Sequence, residues 1–146
     1  MQANIYIETD SKAPRRRSRK YGYVLECIVK GETQTKESFG EIEETYHGAM
    51  VTALEKALIR FHKPCEITIY APDGWLLDML EIQLEKWADA DFLNAQGRPI
   101  SYQKQWMHIW LLTKPHTIYG IRGKHAYSEW LLRRMKDYES AEGKNL

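Results

Sequence analysis

The sequence predicts an α/β domain: a five-stranded mixed sheet, three antiparallel strands followed by parallel ones, with helices on both faces in the order βββαβααβα. Three observations carry this. Strand-like stretches come in succession at the start, the apolar period changes from two to helical at Thr45, and strand and helix patterns alternate from there on.

Residues 4–9 alternate with β-branched and aromatic content and read as the first strand. The connection "SKAPRRRSRKYG" supplies Pro, Ser and Gly, and "YGYVLECIVKG" then reads as the second strand. "GETQTKESFGE", with Thr33, Thr35 and Phe39, makes a third, shorter strand and completes a meander. From Thr45, a candidate cap, the residues Met50, Val51, Leu54, Ala57, Leu58 and Phe61 share one helical stripe. "CEITIYA" is a short strand. "PDGWLLDMLEIQLEKW" returns to helical spacing through Trp75, Leu76, Leu80, Leu84 and Trp87. An irregular excursion over 88–101 precedes a short helix in "YQKQWMHIWLLTK", a fifth strand in "HTIYGIRG" and a last helix with Tyr127, Trp130, Leu131, Met135 and Tyr138 inward. Parallel strands need crossovers, and the helices after residues 45 and 72 have suitable length.

A chain of 146 residues with 43% apolar and 28% charged content suits one domain, 1–138, with a flexible tail over 139–146. Disordered and collagen-like classes are excluded. The net charge of +1 implies nothing global about partners, but its distribution is uneven: six bases lie between Asp10 and Tyr21, and Glu41, Glu43 and Glu44 form an acidic knot. Cys27 and Cys65 sit in apolar runs without metal-ligand spacing and read as buried free thiols. No stretch is long enough to span a bilayer and no secretory signal is visible, so a cytoplasmic location without membrane contact is expected.

Several strings resemble the ribonuclease H family over residues 4–136. "ETDS" is similar to the Thr-Asp end of its first strand and "YGYVLE" to the start of its second. "TYHGAMVTALEKAL" resembles its first helix, "YAPDGWLL" matches the end of its fourth strand in shape, "GRPISYQKQWMHIWLL" its basic and Trp-containing segment, and "IYGIRGKHAYSEW" its last strand and Gly-His loop. The resemblance implies a nuclease whose carboxylates hold two magnesium ions against a phosphodiester.

Residue by residue, that implication is met only in part. Asp10 falls on the family's first metal-binding acid. Met50 stands at the position of the helix glutamate, counted from Thr45, and a thioether is a poor magnesium ligand. Pro72 stands where the third acid is expected, with Asp73 next to it. The fourth falls among Leu132, Arg133, Arg134 and Met135, with Asp137 beyond. Glu8 faces the same side of the strand as Asp10, so Glu8, Asp10 and Asp73 form an alternative carboxylate set. The competing readings are a strand residue near a polar edge for Glu8 and a helix cap for Asp73. His125 resembles the family's loop histidine, displaced by Lys124. His47, His62, His108 and His116 are scattered without ligand spacing.

The family's first connection is Gly-rich and approaches an RNA·DNA hybrid; here Lys12, Arg15, Arg16, Arg17, Arg19 and Lys20 offer charge instead, with Arg98, Lys104, Arg122 and Lys124 extending the patch. A solvated hairpin connection is the plain alternative. The expected function is a ribonuclease H-like domain that binds hybrid or duplex nucleic acid without the usual two-metal site and with no cofactor. The alternatives are an active nuclease using magnesium or manganese on a rearranged carboxylate set, and a protein interaction scaffold.

Overall fold

The computed structural model describes the backbone of residues 1–144 and the side chains of residues 1–137. Its elements are β1 (Gln2–Thr9), β2 (Arg17–Val29), β3 (Glu32–Glu44), α1 (Tyr46–Ile59), β4 (Glu66–Ala71), α2 (Gly74–Asp78), α3 (Leu84–Asp89), α4 (Gln103–Thr113), β5 (Thr117–Arg122) and α5 (Ser128–Lys144). The expected tail over 139–146 falls beyond the described side chains, while the α5 backbone reaches Lys144.

The sheet has the order β3-β2-β1-β4-β5. β1 pairs antiparallel with β2 and β2 with β3, whereas β1–β4 and β4–β5 are parallel. Period-two alternation sends Ile5 and Ile7 of β1, with Ile67 and Ile69 of β4, to one face, where Met50, Leu54 and Leu58 of α1 lie; Trp106 and Ile109 of α4 join the same core, with α4 packed on α1 and α3. Tyr6 and Val24 point to the other face, under Leu131 and Met135 of α5.

Two elements depart from expectation. β3 is not short: it runs thirteen residues and carries the acidic knot. The pairing sets Glu41 opposite Lys20, Glu43 opposite Ser18 and Glu44 opposite Arg17, so charges segregated along the chain become cross-strand neighbours. The helix expected over 72–87 is divided by a π-helical turn at Met79–Gln83. Leu76, Leu80 and Leu84 recur every four residues, which in an α-helix rotates each by about 40° from the last. The wider turn offsets that drift and keeps all three buried.

Candidate functional site

Glu8 and Asp10 share a face of β1, as the strand period requires, but their surroundings differ. Glu8 lies opposite Gly22 and is 2% exposed, whereas Asp10 is exposed just past the strand end. The Ser128 hydroxyl, at the start of α5, donates to Glu8 Oε2 at 2.6 Å. His125 Nε2 lies 3.2 Å from the same oxygen and 2.9 Å from the Ile7 carbonyl. His125 is thus enclosed, its side chain 1% exposed, rather than solvated on its loop. Asp10 Oδ1 accepts from the Lys20 amide at 3.0 Å. Its flank is a groove of about 490 Å³ lined by Ser11, Arg17, Leu132, Met135 and Lys136, so α5 presents apolar and cationic groups to this carboxylate.

Asp73 begins α2 as its cap, Oδ1 accepting from the Trp75 amide at 3.0 Å. Its other oxygen lies 2.6 Å from His47 Nδ1. His47 stands in the first turn of α1, lies against Trp75 with ring centroids 4.4 Å apart and planes tilted by 33°, and leaves much of its ring in solvent. Thr45 caps that helix by accepting from the Gly48 amide at 3.0 Å. Tyr46 fits between the two acids: burial first, then the negative charges of Asp73 and Glu8, push its phenol well above the ordinary range. Met50, at the position implied for the helix glutamate, is wholly buried in the core, and Pro72 is half-buried.

The basic connection is built around one of its own residues. Arg19 is 1% exposed and donates from Nε to the Glu44 carbonyl at 3.0 Å, from Nη1 to the Ser11 carbonyl at 2.7 Å, and from Nη2 to the Ala13 and Arg15 carbonyls at 2.9 and 2.6 Å. A planar fork of donors holds four carbonyls at once, three in the connection and one at the end of β3. Burial and then the charge of Arg17 lower its pKa. Lys20 is also buried, on the α5 side. Two of the six candidate phosphate contacts therefore point inward. Lys12, Arg15, Arg16 and Arg17 point outward, with Arg16 Nη1 3.5 Å from Glu44 Oε1. Arg98, Lys104, Arg122 and Lys124 are exposed; the Arg122 guanidinium packs over Gly74, and Lys124 pairs with Glu129 at 2.9 Å.

The tertiary fold thus brings Glu8 to His125 and Asp73 to His47, with Tyr46 near both acids, and leaves Asp10 in its own groove. Among the described residues, no three His, Cys, Asp or Glu side chains gather where they could hold one metal ion. Sequence reasoning missed His47, Tyr46 and Ser128. Only the cap position of Asp73 hinted at His47, because a residue in the first turn of one helix can reach the cap of another when both begin at the same end of the sheet. Among the described residues, no helix is long and apolar enough to cross a membrane.

No family profile matches the chain. Ribonuclease H of Caldanaerobacter subterraneus subsp. tengcongensis is 29% identical over 112 residues, 75% of this chain and 72% of that protein. The chain is similar in sequence to ribonucleases H and has the ribonuclease H-like fold. Its fold agrees: the crystal structure of LC9-RNase H1, described as a type 1 RNase H with the type 2 active-site motif, superposes with a TM-score of 0.72 at 13% identity, over 93% of this chain and 71% of that one. The foamy viral protease-reverse transcriptase in complex with an RNA/DNA hybrid gives 0.69 at 16% identity, over 92% of this chain and 19% of that one. Within this fold, the acids of the cleft are bonded to imidazoles, a hydroxyl and backbone amides.

Proposed function

We propose that the chain binds nucleic acid through the cationic face beside the ends of β1 and β4, and does not use two-metal hydrolysis. The observation that carries this reading is Arg19: a buried guanidinium shapes the connection so that Lys12, Arg15, Arg16 and Arg17 project together into solvent. Such a cluster holds phosphates by charge and counterion release, without reading sequence. The hybrid-bound viral relative supports a duplex or hybrid as the ligand class.

The chemistry of the donor set supports the second half. Magnesium needs near-octahedral oxygen ligands. Both oxygens of Asp73 are engaged, Glu8 Oε2 accepts from Ser128, and Asp10 stands beside Arg17 and Lys136. The residues present fit hydrogen-bond donors better than a pair of cations.

Binding of hybrid, duplex and single strands across a salt series tests the reading. An Arg15→Ala, Arg16→Ala, Arg17→Ala triple variant is expected to flatten the salt dependence by about 0.9 per lost duplex phosphate contact. Binding indifferent to salt and to these residues would leave a protein scaffold. A second reading is an active nuclease, favoured by the Ribonuclease H names of the relatives and by the exposed Asp10. Hybrid cleavage that requires magnesium and is lost in Asp10→Asn selects it.

A further inference from the structure

At the opposite end of the sheet from the carboxylates, the secondary-structure lengths do not match. β2 has thirteen residues, about 43 Å of strand at about 3.3 Å per residue. α1, which covers that face, has fourteen residues and spans only about 21 Å. The helix stops at Ile59, and beyond it the chain through Phe61 to Cys65 turns aside. A groove of about 550 Å³ remains over the bare end of the hairpin. Its size lies within the range of small-molecule sites.

The floor is a linear, largely apolar row edged by Gln34 and Thr35 of β3. Leu25, Cys27 and Val29 are alternate residues of β2 facing one side, so they lie in a row about 13 Å long. Phe61 and Cys65 form the wall. Leu25 is buried, Cys27 half-buried and Val29 exposed, so the row opens toward solvent at its far end, and burial raises the Cys27 thiol pKa. The rim is basic: Lys36, Arg60 and Lys63 line the groove and are exposed, with His62 beside them, and no carboxylate is among the lining residues. An apolar trough with a cationic edge matches a ligand with an extended hydrocarbon body and an anionic head.

We propose that this groove binds a single-chain anionic amphiphile, a long-chain carboxylate whose tail lies along Leu25, Cys27 and Val29 and whose head meets Arg60 and Lys63. The site is remote from the proposed nucleic-acid face and does not depend on it.

The test uses the whole chain and dansyl-undecanoic acid as a fluorescent probe below its micellar concentration. Saturable, blue-shifted binding is expected, displaced by laurate and not by dodecylamine, and weakened at least about tenfold in Arg60→Glu, Lys63→Glu. In the unsubstituted chain, laurate is expected to slow iodoacetamide modification of Cys27, located by peptide mass spectrometry; this readout does not depend on variants folding. Equal displacement by laurate and dodecylamine, full-strength binding to the reversed-charge variant, or unaltered Cys27 alkylation would each overturn the proposal. Stronger displacement by an acidic, Phe-containing peptide than by laurate would overturn it too, by making the groove a protein-docking surface.

Discussion

Ser128 and Glu8, 120 residues apart, are joined by a 2.6 Å hydrogen bond in the interior. The start of α5 thereby seals the carboxylate at the end of β1, and His125 shares the same oxygen. Ser128→Ala removes a donor to a buried acid and is expected to cost about 1–3 kcal/mol in urea unfolding. An unchanged midpoint would mean that this contact does not hold Glu8 in the folded chain.

Arg19 gives a second expectation. Lysine keeps the charge but cannot reach four carbonyls in a plane, so Arg19→Lys is expected to lose about 2 kcal/mol and to open the connection over 11–16. Trypsin should then cleave after Arg15, Arg16 or Arg17 faster than in the parent chain. Equal cleavage rates would show that the connection keeps its shape without the guanidinium.

Gly22 leaves room for packing. A Cβ there would lie 2.7 Å from a Phe39 ring carbon and 3.2 Å from Leu131. Gly22→Ala is expected to destabilise by about 1–3 kcal/mol through overpacking between β3 and α5. Differential scanning calorimetry reads the effect, and a melting temperature equal to that of the parent would contradict it.

His116 sets a pH dependence. Its Nδ1 accepts from the Cys65 amide at 3.0 Å, which requires a neutral ring, and burial lowers its pKa. The unfolded chain binds a proton near pH 6.5, where the folded chain does not. The stability contribution is therefore complete above about pH 6.5 and is lost as pH falls through the lowered folded value. Urea midpoints measured from about pH 7 down to 5 should decline less in His116→Gln than in the parent. Parallel declines would remove His116 as the cause.

Much of the fold is legible in local periodicity. Met50, Val51, Leu54, Ala57 and Leu58 form the buried stripe of α1, and Leu131 and Met135 anchor α5, because helical spacing fixes which residues share a face before any partner is known. The Thr45 and Asp73 caps are readable for the same local reason. The length of β3 was not: Glu41, Glu43 and Glu44 look like a solvated knot until Arg17, Ser18 and Lys20 are seen opposite them.

The sequence by itself determined the order of elements, the faces they bury and a cluster of cations after Asp10, since each depends on residues within a turn or a strand of one another. Only the tertiary structure decided which charges are available. Arg19 and Lys20 turn inward while Arg15 to Arg17 do not, and Glu8 and Asp73 find Ser128, His125 and His47 across the fold. The reason is physical: a polar group's partners are set by distance in space, and these partners come from separate elements that meet only when the sheet and its helices pack.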